Sequence, residues 1–594
     1  MKTDSREMDR FTGPMFRRGL LPALISSVGL GISDVADAVV LGQRMGETGL
    51  AAISLALPVF MVINLVMHSF GSGGSIRYSR LLGEGNPKEA VKSFSFVIET
   101  ALILGIVMAL AGDFLIHPIL SILGASRENI QLYEASRIYV EVIISGIPLF
   151  FGSYILNYYL RSDGCQKLAS FGFTVGNLSD LFLNILLVLV FDLGAAGAAW
   201  STLTGQAVAI CIYLWSLRRG EREGLLAFRP AFPRLKEIYT CFRLGLSTSS
   251  QYVFQMVFLL IANRMLMKMG GENGVAVFDL VQNTSFLILY LYDGVSKTAQ
   301  PLISTFVGEC NSQGLKKTLR LGYGWGLGVG GLGALFVFCF PGVLCMIFGL
   351  QSPEAEELGC YALRVLAMGS LIAGICILTE NFCQAGEDER GAFCIAALRG
   401  AICLIPCALF FSMAGLKAFW WMYPAAELLT LVIYGIWRKW FDNRGRAFDE
   451  ERVFYCTIRG QNDNIRPLTS GIEEFLERWE AAPNQQYFVA MAAEEICLSI
   501  MQKGFGQESL GKSPEEKDRA GYIQVTLVAL EDGDFELHIR DDAVKFNPFS
   551  MKTAKADLDG DWDPDAIGIL VIKEKSKDFF YRRYQGFNTM VIRI

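Results

Sequence analysis

Histidine is nearly absent from these 594 residues: only His68, His117 and His538 occur, too few and too scattered for a histidine metal centre. Charge is scarce as well, at 19% of residues against 52% hydrophobic, and the mean hydropathy of +0.36 excludes an ordinary soluble globule. A net charge of −6 leaves no basic excess for nucleic acid. The 14 cysteines form no CxxC pair, and several (Cys211, Cys339, Cys376, Cys403, Cys407) sit in apolar runs, where they read as small hydrophobes. No GxxxxGK[ST] loop lies within the spans; the text GQESLGKS at 506–513, in the tail, has that spacing.

What is present divides in two. Residues 451–594 are about 30% charged, with about 25 acids and 18 bases, whereas those before are about 15% charged and nearly neutral. A spanning helix needs about 20 apolar residues. Twelve stretches qualify, near 17–42, 50–76, 92–112, 134–160, 168–190, 194–217, 237–266, 274–305, 318–347, 359–384, 392–413 and 416–437. The first follows Arg17 and Arg18 without a small-residue cleavage pattern and reads as a retained helix. Lys and Arg gather after even-numbered spans (Arg77, Arg80, Lys88; Arg161, Lys167; Arg218 to Lys236; Lys316, Lys317, Arg320), which places both termini in the cytoplasm and the chain, multi-pass, in the cytoplasmic membrane.

The chain also repeats itself. LGEGN at 82–86 returns as VGECN at 307–311, 225 residues on, and Met45-Gly46 as Met269-Gly270, 224 on. Near the ends of the halves Gly194 and Trp200 match Gly415 and Trp421, both 221 on. One slowly drifting offset implies two six-helix bundles, 1–225 and 226–440, with a cavity at their interface.

Ionisable groups within spans are costly and usually face a cavity or a partner. Span one carries Asp34 and Asp37; span five carries Asn177, Asp180 and Asn184 at helical spacing on one face. Gln251, Gln255, Asp279, Tyr290 and Glu380 extend a polar lining whose acid excess suits cations, protons included. Asp293 and Lys297, four apart, can neutralise each other, and Glu380 can pair with Arg399.

The texts VADAVVLGQRMGETGLAA, GEGNPKEA, GAAGAAWSTLTGQ, DGVSKTAQPLIS and GLKAFWWMYPAAELLT, in that order, resemble the multidrug and toxic compound extrusion family over about 420 residues. The resemblance implies an antiporter that exchanges H⁺ or Na⁺ for organic, often cationic compounds. It implies ion-coupling roles for Asp37, Asp180, Asn184 and Thr202, with Asp37 and Asp180 holding the ion. The family's Asn-x-x-x-Asp stands here as Asp180 to Asn184, with the two types exchanged, and a seventh-helix acid is replaced by Gln251 and Gln255.

Beyond a polar linker at 441–452, residues 453–594 alternate in pattern. Strands are expected at 453–458, 523–530, 535–539 and 590–594, and helices at 465–479 and 487–501, giving an α/β sandwich. The stretch 504–521 suggests a lid. AAEEICLS, RDDAVKFNP and AIGILVI resemble, in order, the boxes of the histidine-kinase-like ATP-binding fold, in its anti-sigma-factor serine kinase branch. The resemblance implies Mg-ATP contacts at Glu495, Ser499, Asp541, Ala543 and Gly568. Ser499 stands in place of the Mg²⁺-binding Asn and Ala543 in place of a glycine, so the domain reads as degenerate and without phosphotransfer.

The sequence thus describes an all-α polytopic membrane protein of about twelve helices in two repeats, with a cytoplasmic α/β sandwich. Its partners are the lipid bilayer, a small-molecule substrate and a cytoplasmic regulatory protein, with no nucleic acid. A cation-coupled exporter with a regulatory tail is the main reading; the alternative is a membrane-anchored signalling protein whose tail phosphorylates or binds a regulator.

Overall fold

The computed structural model describes residues 10–123, 130–219, 224–229, 234–348, 353–441, 450–460, 464–505, 521–550 and 567–594. Most of the expected linker and of the 504–521 stretch therefore lies outside the described residues, and the side chains of Asp34 and Asp37 do too.

The first helical trace, α1 (Thr12–Gly83), takes in both of the first two expected spans. At 1.5 Å per residue it far exceeds a bilayer, and it doubles back. A Cβ built on Gly49 would lie 2.9 Å from the carbonyl oxygen of Leu41, which a straight helix would place about 12 Å away. The same reversal recurs in α9 (Gln251–Gly308), where a Cβ on Gly274 would lie 3.3 Å from Leu266 O and Gly271 breaks the helix at φ 58°.

Between and beyond these run α2 (Pro87–Phe114), α3 (Ile116–Leu123), α4 (Ile130–Ser145), α5 (Ile147–Ser162), α6 (Gln166–Asn184), α7 (Gly194–Arg219) and α8 (Leu235–Ser249). After α9 come α10 (Ser312–Cys339), α11 (Pro341–Ile347), α12 (Pro353–Ala385), α13 (Glu389–Ala397), α14 (Leu404–Ser412), α15 (Leu416–Phe419) and α16 (Met422–Phe441). Among the described residues ten helices are long and apolar enough to cross a membrane, or eleven if α4 and α5, bent by 51°, form one span. The bend falls at Gly146 before Pro148, where a helix loses a hydrogen bond. One-turn wide-helix segments, Ile185–Val190 and Leu398–Ile402, follow α6 and α13.

Two apolar cores form, one per half, and each borrows from the other. Phe11, Met15, Phe16 and Leu20 of α1 belong to the core built from α9, α10 and α12. Leu226 and Cys241, around the start of α8, belong to the core of α1, α2 and α5. The halves therefore interlock at one end.

The tail is a five-stranded antiparallel sheet of β1 (Val453–Arg459), β2 (Tyr522–Ala529), β3 (Phe535–Asp541), β4 (Asp578–Tyr584) and β5 (Phe587–Arg593), in the order β1-β2-β3-β5-β4. Helices α17 (Ile465–Arg478), α18 (Pro483–Ser499) and α19 (Ile567–Lys575) cover one face, packing Leu468, Ile472, Val489, Ile496 and Ile572 on Val525, Leu537, Ile539 and Ile592. Strand β4 was not expected; its run of two aromatics, Tyr and two Arg lacks a clean alternation. The other face carries Gln524, Thr526, Glu536, His538, Arg540 and Thr589 beside Phe580, Tyr584, Phe587 and Val591, and every one of these residues is buried. Antiparallel sheets usually leave such a face in water; here it lies on the loops of the helical part.

Candidate functional site

Asn177, Asp180 and Asn184 share one buried face of α6, as their spacing requires. That face meets α7 through glycines: a Cβ on Gly176 would lie 2.8 Å from Gly205 O, and one on Gly205 would lie 2.9 Å from the Asp180 Cβ. The backbones approach closely, and the carboxylate is held in the seam. Thr202 donates its hydroxyl to Ala198 O at 3.1 Å, a bond within its own helix. One turn on, Gln206 is buried; among the described residues its Oε1 and the Asn177 Nδ2 have no hydrogen-bond partner, so this seam is a stock of oxygen and amide groups in low dielectric around Asp180. Sequence reasoning passed over Gln206, although its four-residue distance from Thr202 puts the two on one face.

A second cluster joins the halves. Ser27 donates to the Asp293 carboxylate at 3.0 Å, and Lys297 pairs with the same carboxylate at 2.5 Å, so the two α9 charges do neutralise each other. Arg161, 2% exposed, donates to Asn157 Oδ1 at 2.8 Å and to Ser26 Oγ at 3.2 Å. His68 bonds to the Tyr158 hydroxyl at 2.8 Å and stacks on Tyr252, with Tyr154 at its edge. His68 and Tyr158 were not singled out from sequence and Arg161 was counted there as a loop charge, because their significance lies in meeting across helices. Tyr290 lies against Gly31, 2.6 Å from where its Cβ would stand, and so reaches the α1 segment that carries Asp34 and Asp37.

The remaining expected residues part company. Gln251 and Gln255 are half-buried at the start of α9, and Asp279 is exposed on the same helix. Glu380 is buried inside the second half, 3.8 Å from Arg399, which binds Glu427 more closely at 2.8 Å. Two carboxyl groups thus share one guanidinium. Among the described residues no three His, Cys, Asp or Glu side chains group as a metal site. Asp180 has amides and hydroxyls for company.

In the tail, Asp541 is fully buried and accepts from Asn588 Nδ2 at 2.7 Å and from the Ala543 N–H at 3.0 Å. Burial pushes its carboxyl up to about 7 despite those donors. Asn588 also donates to Val544 O at 2.9 Å and accepts from Tyr581, pinning the loop after β3. Ser499 is buried with no partner for its hydroxyl, Ala543 packs near Gly504, and the Glu495 side chain occupies the space a Cβ on Gly568 would need. This donor set does not fit Mg²⁺-nucleotide: a neutral, core-facing hydroxyl replaces the amide ligand, and the glutamate is packed on the glycine that should admit phosphate.

The MatE family model matches the chain twice, over residues 22–187 and 248–410. The multidrug export protein MepA of Staphylococcus saprophyticus is 26% identical over 432 residues, covering 70% of this chain and 92% of that protein. MepA of a Staphylococcus aureus strain is 25% identical over 428 residues, with the same coverage. Among solved structures, a multidrug resistance MATE family transporter in an outward-facing conformation superposes with a TM-score of 0.68 at 20% identity, over 74% of this chain and 98% of that one. The Vibrio cholerae MATE transporter VcmN superposes with a TM-score of 0.64 at 20% identity, over 72% and 98%.

Proposed function

Since the chain belongs to the MatE family, we propose that it is a cation-coupled antiporter exporting organic, cationic or amphipathic compounds, with H⁺ or Na⁺ as the counter-ion. The observation that carries this reading is Asp180, a carboxylate buried in the α6–α7 seam among Asn177, Asn184 and Gln206. A carboxylate so placed favours holding a proton or a cation over standing bare. If ion and cargo favour opposite conformations, the ion gradient drives the cargo. Asp37 is the second proposed ion-holding residue, and Tyr290, close to its helix, is proposed to line the cargo path with Gln251 and Gln255.

Two six-helix repeats, 1–225 and 226–440, are part of the proposal. In support, α2 and α10 both run 28 residues and start 225 apart, as do the reversals at Gly49 and Gly274. The basic residues Arg80, Lys88, Lys92, Arg234 and Lys236 lie at the end that the tail covers, which supports a cytoplasmic tail and cytoplasmic termini. The tail is proposed as a regulatory domain without phosphotransfer, and a cytoplasmic partner would meet its helix-covered side.

The test is ethidium efflux from vesicles under an imposed ΔpH or ΔpNa, with Asp37→Asn and Asp180→Asn. Loss of gradient-driven efflux in both supports exchange at these acids; unaffected flux removes them. Calorimetry of the full chain with Mg-ATP is expected to give no binding heat.

A further inference from the structure

We propose that the helix-free face of the tail's sheet is a docking surface for the chain's own helical part, and that docking braces the tail-side ends of the two halves against separating. The effect on transport rests on the exporter reading above; the brace itself does not.

The face is built by register. Gln524 of β2 stands opposite Arg540 of β3, Arg540 opposite Thr589 of β5, and Thr589 opposite Arg582 of β4, one polar row across four strands. Arg540 bonds along that row to Gln524 and Thr589, then leaves it: its Nη2 reaches Glu309 Oε1 at 2.7 Å, with both side chains at least 90% buried. Glu309 follows α9 in the second half. The β4–β5 hairpin touches both halves: Gln166 and Lys88 lie in the first, whereas Arg18 stands at the start of α1, whose Phe16 and Leu20 pack in the second half's core, as Tyr584 and Phe587 do. At the hairpin's tip Gln585 donates to Gln166 Oε1 at 2.9 Å, and Arg18 of α1 donates to the Gln585 carbonyl at 2.6 Å. Gly586, at φ 81°, leaves the room that the Arg18 guanidinium takes. The Arg18 side chain also covers the ring of Phe587, and Lys88 pairs with Asp578 at 3.3 Å.

One rigid sheet therefore holds both halves where they already touch. Ser72 bonds Gln384 at 3.0 Å, Gln300 bonds Ser75 at 3.2 Å, Arg77 meets Glu237 at 3.5 Å and Arg80 pairs with Glu387. Separating these contacts would carry Glu309 away from Gln166 and Lys88, and the sheet cannot follow both. The buried Arg540–Glu309 pair is the weak point of this grip, because removing one partner strands the other's charge in low dielectric.

Hydrogen exchange of the full chain in detergent tests this, with Glu309→Arg, Arg540→Glu and the double exchange of charges. Each single variant is expected to speed exchange at least about tenfold, both at the hairpin tip (584–587) and at the helix ends 72–83 and 298–308. The double variant is expected to restore protection, which also shows that the singles are folded. Faster exchange at the tip with unchanged helix ends would overturn the brace, as would a protected tip in both singles. Absence of transport in every variant, with exchange behaving as expected, would sink the exporter reading and leave the brace standing.

Discussion

Gly83 and Gly308 face each other across the two halves in a reciprocal contact. A Cβ on Gly83 would overlap the carbonyl oxygen of Thr305, and one on Gly308 would overlap that of Arg80, three residues before each glycine. The obstructing atoms are backbone and cannot rotate aside. Gly308→Ala is therefore expected to disfavour the closed tail-side end by about 1–3 kcal/mol, the usual penalty of overpacking. Faster hydrogen exchange over 72–83, with the second half still folded by circular dichroism, checks it; unchanged exchange would mean that the glycine contact does not limit opening.

In the α6–α7 seam the two candidate ligands differ in what else they do. Asp180 is buried beside unpaired amide groups, whereas the Thr202 hydroxyl is already engaged by Ala198 O. Asp180→Asn is expected to lower gradient-driven efflux by roughly tenfold or more, since a neutral amide cannot exchange a proton or balance a cation. Thr202→Ala is expected to stay within about twofold, because losing one intrahelical side-chain bond costs little. Initial rates of ethidium efflux under ΔpH and ΔpNa separate the two; equal losses would place Thr202 at the ion after all.

The second half contains a buried acid pair that depends on one base. Arg399 lies 2.8 Å from Glu427 and 3.8 Å from Glu380. Removing the shared cation leaves two buried carboxylates facing each other, so Arg399→Gln is expected to destabilise by about 3–5 kcal/mol. Glu380→Gln removes the more distant acid and is expected to cost far less. Thermal melts in detergent should rank the variants in that order.

Much of this was legible in the sequence where the signal is local. Spacing put Asn177, Asp180 and Asn184 on one buried face, and the four-residue gap of Asp293 and Lys297 gave their ion pair. The Glu380–Arg399 pairing was one of two open readings; Glu427 was not anticipated, because it comes from another helix. The tail's strands at 522–529 and 535–541 fell within two residues of expectation. Nothing local distinguishes a face that meets water from one that meets Glu309, 231 residues from Arg540.

Asp541 gives the tail a pH dependence of fixed sign. Its carboxyl titrates at about 7 in the folded domain, against about 3.9 for a free aspartate. Between those values the folded state binds more protons than the unfolded one, so stability is greatest below about 4 and is lost as pH rises through 7. The loss is on the order of 3–5 kcal/mol at 1.36 kcal/mol per unit. Asp541→Asn keeps an oxygen for the Asn588 and Ala543 donors and never ionises. It is expected to abolish the slope: more protection than wild type at pH 8, and slightly less at pH 4, where the new amide N–H₂ is buried in place of a protonated carboxyl. Exchange rates of the β3 and β5 amides in the full chain, compared at the two pH values after correction for intrinsic chemistry, measure both. A parallel pH slope in the variant would assign the dependence to another group.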